Sequence, residues 1–266
     1  MRSLPELCKE LHFSHLDAGL PALLEEARTQ ALTYEAFLRR TLLLETEGRK
    51  GVAHQRRLQA ARLPVRKTLE EFDFTFQPAL SERLLWELAE LSFVQTNTNV
   101  LFLGPPGVGK THLSLGLAVK ALEAGYSVLF TTLAQVVEDL SAVPHPTLVS
   151  KRLRRYVTPR VLVLDEIGYT KLPPEQATHV FELVRDRYEH GVILLTSNTS
   201  FAEWGALLGD EVLATALLDR LLHHAEVISI NGPSYRMKGR VPRQGTAQQH
   251  AKEQLGESSP TATGSI

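Results

Sequence analysis

The stretch Asn99-Val100-Leu101-Phe102-Leu103-Gly104-Pro105-Pro106-Gly107-Val108-Gly109-Lys110-Thr111 decides the reading of this chain. An apolar, strand-like run passes into G-x-x-x-x-G-K-T, and Leu113, Leu117 and Ala121 then recur at helical spacing. That context makes a phosphate cradle for a nucleoside triphosphate. Glycine lets backbone N–H groups turn inward with no Cβ in the way, and the following helix adds its positive end. The expected phosphate-binding set is Gly104, Pro105, Pro106, Gly107, Val108, Gly109, Lys110, Thr111 and His112. Lys110 contributes a point charge and Thr111 a hydroxyl for Mg²⁺.

Working outward, Val161-Leu162-Val163-Leu164-Asp165-Glu166 ends a buried-strand pattern with two acids. In open parallel sheets ligands sit beyond the carboxyl ends of the strands. Asp165 is therefore expected to face the triphosphate and hold Mg²⁺ through water, with Glu166 polarising the attacking water. Leu194-Leu195-Thr196-Ser197-Asn198 ends the next strand with an amide. Asn198 is expected to orient γ-phosphate and water; turn chemistry before Ser200 is the other use of an Asn there. Arg220, near the end of an apolar helix, has three readings: a pair with Asp219, a helix-end cation, or an arginine finger for a neighbouring subunit's γ-phosphate. Arg236, in Ser234-Tyr235-Arg236, is a candidate phosphate sensor within the same subunit. His223-His224 has no third ligand at useful spacing in the sequence and reads as a surface or helix-end pair.

The surrounding pattern alternates strand and helix, which specifies an α/β fold. Strands are expected at 100–103, 127–131, 161–164, 192–196 and 227–230, and helices at 81–93, 110–124, 133–140, 177–188 and 213–223. This predicts a five-stranded parallel sheet flanked by helices, joined by right-handed crossovers. Residues 5–63 read as helices, with Thr33 as an N-cap and Gly48 and Gly51 marking a break. The expected organisation is a small, basic, all-α N-terminal domain over 1–66, a nucleotide-binding domain over 67–240, and a disordered tail over 241–266.

The chain has 266 residues, 43% of them hydrophobic, enough to bury a core. One cysteine, Cys8, excludes a disulfide framework. The lack of a long apolar run points to a cytoplasmic protein with no membrane partner. The net charge of −1 identifies no partner, but its distribution is uneven. Between Arg39 and Lys67 nine basic residues face two acids, and Lys151-Arg152-Leu153-Arg154-Arg155 has no acid beside it. Arg39, Arg40, Arg49, Lys50, Arg56, Arg57, Lys151, Arg152, Arg154 and Arg155 are the expected contacts to a nucleic-acid backbone; a solvated helix face is the plainer alternative.

These motifs together resemble the IstB-type ATP-binding proteins, helper ATPases of insertion-sequence transposases. Those proteins are related to the DnaC helicase loader within the AAA+ superfamily. The resemblance spans about 5–240. It rests on Phe72-Asp73-Phe74, the phosphate loop, Asp165-Glu166-Ile167-Gly168-Tyr169, Arg187-Tyr188-Glu189, Thr196-Ser197-Asn198, Asp219-Arg220-Leu221 and Gly232-Pro233-Ser234-Tyr235-Arg236. It implies that Asp165 and Glu166 form the Walker B box, that Asn198 is sensor 1, that Arg220 is the finger and that Arg236 is a sensor 2-like residue. It further implies ATP and Mg²⁺ as ligands, homo-oligomers on double-stranded DNA, and delivery of that DNA to a cognate transposase. The alternative is a DnaC-like helicase loader acting on single strands. A small-molecule phosphotransferase and a non-catalytic ATP-binding module are two further classes.

Overall fold

The computed structural model describes residues 2–143, 145–168 and 171–238. It divides into two units, Met1–Tyr235 and Arg236–Ile266. In the second, the described residues begin with the end of a 3₁₀ turn, Tyr235–Met237. The tail expected over 241–266 lies outside the described residues.

Strand alternation builds the first unit. The strands are β1 (Asn99–Leu103), β2 (Val128–Thr132), β3 (Val161–Ile167), β4 (Val192–Ser197) and β5 (Ala225–Ser229). They form one parallel sheet in the order β2-β3-β4-β1-β5. Successive side chains in a strand point to opposite faces. Val100, Phe102, Val163 and Leu194 therefore share one buried cluster, with Leu113, Leu117 and Ala121 of α6 (Lys110–Glu123). Leu101, Leu162, Leu164 and Leu195 share the other, against α7 (Leu133–Ser141), α8 (Pro146–Val157), α9 (Pro174–Arg187), α10 (Trp204–Leu208) and α11 (Glu211–His223). Both faces are covered, which is why these strands read as continuous apolar runs.

The N-terminal helices are α1 (Leu4–Glu10), α2 (Ser14–Thr29) and α3 (Tyr34–Ala61). Thr33 caps α3 by accepting from Ala36 N. The break expected at Gly48 and Gly51 is absent: α3 is continuous. A Cβ on Gly48 would stand 2.3 Å from the His15 ring, so this glycine brings α2 and α3 together rather than ending a helix. Nearby, the buried Glu45 carboxylate accepts the backbone N–H groups of His15 (3.0 Å) and Leu16 (2.8 Å), capping the first turn of α2. Arg49 closes the arrangement, donating to Glu45 at 2.6 Å and to the His12 carbonyl at 2.8 Å. Farther along, Leu58 and Ala61 join the core beneath the sheet.

Two other expectations are corrected. The helix expected over 81–93 divides into α4 (Glu82–Ala89) and α5 (Ser92–Gln95), with Leu91 between them in the left-handed conformation. At 100° per residue, Val94 on an unbroken helix would point away from Leu85. The break buries Leu85, Leu91, Phe93 and Val94 in the same core. The strand expected over 161–164 runs on to Ile167, with a register shift between Leu164 and Ile167.

One buried cation braces this layer. Arg187, 1% exposed, donates to the carbonyls of Tyr156, Val157, Pro159, Arg160 and Val192. It thereby satisfies the carbonyl end of α8 and ties it to β4. Burial, with the Arg160 charge nearby, pulls its pKa down to about 9, so it stays a cation at neutral pH.

Candidate active site

The loop between β1 and α6 is shaped by backbone that L side chains rarely adopt. Gly104 has φ +148°, and a Cβ there would lie 2.2 Å from the Ile230 carbonyl oxygen. Gly109 has φ +103°, and its Cβ would meet the Phe72 ring at 2.5 Å. Val108 is buried as the anchor, Pro105 and Pro106 are exposed, and the Gly107 carbonyl accepts from Tyr235 N at 2.9 Å. Lys110 Nζ folds back across the loop to the carbonyls of Gly104 (2.6 Å) and Pro105 (2.9 Å). Helix α6 starts at Gly109 with no side-chain cap, leaving its first-turn N–H groups for a ligand. The His112 ring turns away from the loop, meeting the Thr68 carbonyl at 2.8 Å and the Phe72 ring at 5.3 Å.

Across the rim of the sheet stand the acids. The Thr111 hydroxyl lies 2.9 and 3.1 Å from the two Asp165 oxygens. Asp165 and Glu166 occupy the register shift, where β3 sets two residues against Thr196 of β4. The buried Thr196 hydroxyl donates to Asp165 and accepts the Glu166 backbone N–H at 3.0 Å. Glu166 has φ +63°, costly for a side-chain-bearing residue, and is exposed. Sequence reasoning missed Thr196; a hydroxyl in an otherwise apolar strand beside two acids was the available signal.

Asn198 follows β4, its N–H donating to the Ile167 carbonyl at 3.2 Å. Its Oδ1 is buried without a hydrogen-bond partner, and a Cβ on Gly168 would reach it at 2.3 Å. Lys110, Thr111, Asp165, Glu166 and Asn198 thus all follow or face the carboxyl ends of adjacent strands β1, β3 and β4. The Gly104–Gly109 cradle, the uncapped α6 terminus and the hard oxygen donors of Thr111 and Asp165 fit a triphosphate with Mg²⁺.

Arg220 is elsewhere. It donates to the Ala216 carbonyl at 2.8 Å and lies 5.0 Å over the Phe181 ring. The following turn is bound to the beginning of β1: Asn99 donates from Nδ2 to the Leu221 carbonyl (3.0 Å) and from its backbone N–H to the His224 carbonyl (2.8 Å). Gly104 follows the other end of that strand, about 13 Å away for strand geometry. Arg236 belongs to the second unit.

The basic residues divide into two groups. Arg40 pairs with Glu26, Arg49 with Glu45, and Arg152 and Arg155 both approach Asp139, at 3.6 and 3.7 Å. Arg57 is half-buried, its Nε without a partner. Arg39, Lys50, Arg56, Lys151 and Arg154 are exposed.

The sequence profile of the family described as IstB-like ATP binding protein matches residues 6–242. The insertion sequence IS21 protein of Pseudomonas aeruginosa is 47% identical over 238 residues, covering 90% of each chain. The AMPPCP-bound DnaA from Aquifex aeolicus aligns with a TM-score of 0.52 at 19% identity, over 64% of this chain and 51% of that one. The DnaC helicase loader aligns with a TM-score of 0.50 at 21% identity, over 61% of this chain and 96% of that one. At such identities the likeness is one of fold, the P-loop AAA+ sheet expected from the sequence. The match to the profile and to the IS21 protein goes further, and by it this chain belongs to the IstB-like ATP binding protein family.

Proposed function

We propose that this chain is an ATP-hydrolysing helper of insertion-sequence transposition that assembles on duplex DNA and delivers it to a transposase. The observation that carries the reading is the Thr111–Asp165 contact, at 2.9 and 3.1 Å, beside Lys110 and the glycine cradle. The loop N–H groups and Lys110 hold the β- and γ-phosphates, with His112 contributing its backbone N–H. Mg²⁺, held through Thr111 and Asp165, supplies charge compensation for the phosphate oxygens. Asn198 orients the γ-phosphate and a water. Glu166 takes that water's proton as its oxygen attacks the γ-phosphorus, and the γ-phosphorus–oxygen bond to the leaving ADP breaks with its electron pair going to ADP.

Arg220 lies at the far end of β1 from its own phosphate loop, and that distance supports a role as a finger toward a neighbouring copy. Arg236 is assigned the sensor role within the subunit. Residues 1–66 serve DNA binding and assembly, and residues 67–240 the nucleotide chemistry. Arg39, Lys50, Arg56, Lys151 and Arg154, exposed and outside the ion pairs above, are the leading DNA-backbone contacts. Light scattering with duplex DNA and a non-hydrolysable ATP analogue tests the proposal. Large assemblies requiring both ligands are expected, and a monomer under every condition ends it. Tighter binding of single strands than of duplex would mark a helicase loader instead.

A further inference from the structure

Neighbouring histidines at 223 and 224 offer two imidazoles, and the fold brings a third ligand that the sequence did not reveal. Glu189, in the turn after α9, has its carboxylate in the same cluster; ligand atoms of Glu189, His223 and His224 all lie within 4.8 Å of one another. We propose that Glu189, His223 and His224 form a binding site for a borderline transition-metal cation of the Zn²⁺ type.

Three observations support it. First, the donor set is two imidazoles and one carboxylate, which suits Zn²⁺; Mg²⁺ and Ca²⁺ prefer all-oxygen shells. Second, the ligands' backbones are already fixed against the beginning of β1. Asn97 Nδ2 donates to the Glu189 carbonyl at 2.9 Å, and Asn99 N–H donates to the His224 carbonyl at 2.8 Å. Glu189 itself has φ +60°, a conformation held against its intrinsic cost. Third, Tyr188 Oη lies 2.8 Å from His223 Nδ1, so one ring nitrogen has an outer partner and Nε2 is the nitrogen left for a metal. The two imidazoles stand 4.2 Å apart between centroids.

With metal–ligand bonds near 2.1 Å, ligand atoms of a tetrahedral site are about 3.4 Å apart. All three side chains are exposed, so small rotamer changes close the remaining distance and solvent takes the fourth position. The site also lies at the carbonyl end of α11, where the helix favours a cation. Bound metal would clamp the end of the helix carrying Arg220 to the turn after α9. This inference does not depend on the nucleotide reading.

The test is titration of the full chain with Zn²⁺ in competition with a chromophoric chelator, with excess Mg²⁺ to mask oxygen-donor sites. One equivalent is expected to bind at micromolar Zn²⁺. Glu189→Gln and His224→Ala, both exposed, are each expected to weaken binding by about tenfold or more. Amide exchange over 219–224 should slow with Zn²⁺ in the parent chain and stay unchanged in either variant. No uptake at micromolar Zn²⁺, or uptake equal in parent and variants, overturns the proposal.

Discussion

The Thr196 hydroxyl links the two acids of β3, donating to the Asp165 carboxylate while accepting the Glu166 backbone N–H at 3.0 Å. One buried side chain therefore sets both the direction of the Asp165 carboxylate and the turn that exposes Glu166. Thr196→Val keeps the shape and removes both bonds, leaving the Glu166 N–H without its acceptor, a loss of about 1–3 kcal/mol. ATP hydrolysis should fall roughly tenfold or more while nucleotide affinity changes far less. Thr196→Ser should restore turnover. Steady-state kinetics beside fluorescent-nucleotide binding checks this; equal loss of both in the Val variant would reduce Thr196 to a packing residue.

Glu166→Gln separates the base from the fold. The substitution keeps size and leaves the backbone N–H bond to Thr196 in place. Nucleotide binding and DNA-dependent assembly should persist, with hydrolysis lowered by at least roughly tenfold. Phosphate release measured in parallel with light scattering gives both readouts. Unchanged turnover would remove Glu166 from the chemistry.

Gly48 offers a test of helix packing whose sign depends on its neighbour. In an exposed helix, Gly→Ala is stabilising by about 1 kcal/mol. Here the new Cβ would stand 2.3 Å from His15, and overpacking of this kind costs about 1–3 kcal/mol. Gly48→Ala should therefore destabilise the parent chain and stabilise a His15→Gly chain; His15→Ala would not relieve the clash, because the His15 Cβ itself would stand 2.7 Å from the new atom. Denaturant unfolding of the four chains completes the cycle. Stabilisation in both backgrounds would show that α2 and α3 separate without penalty.

Arg187→Met should be the most destabilising of these changes. It strips donors from five carbonyls, two of them in the last turn of α8. Losses of about 3–5 kcal/mol are expected, since unsatisfied buried polar groups add to the lost packing. Arg187→Lys should recover only part, because an ammonium cannot reproduce the planar fork. Urea denaturation monitored by circular dichroism measures both variants.

Much of this was legible in the sequence because it is local. The phosphate loop announces itself through glycines at fixed spacing, and the strands through short apolar runs between helix-period segments. Thr33 as a cap needed only the residues after it. What escaped depends on partners distant in the chain. Nothing around Asp165 predicts that β3 sets two residues against Thr196. Gly48 resembles a helix breaker until His15, on another helix, is laid against it. Arg187 enters the sequence only as part of the Arg187-Tyr188-Glu189 motif, and its five carbonyl partners come from three segments. Glu189 and His223 are separated by β4, α10 and the rest of α11, so their meeting is a property of the fold alone.

Asn99 fastens the end of α11 to the beginning of β1, while Gly104 opens the phosphate loop at that strand's finish. The two poles of one short strand thus carry unlike surfaces. On the finger role proposed for Arg220, copies joined pole to pole could not form a self-completing pair, since each contact would leave one donor pole and one acceptor pole unused. Such a series ends only by curving into a ring or continues as a helical filament.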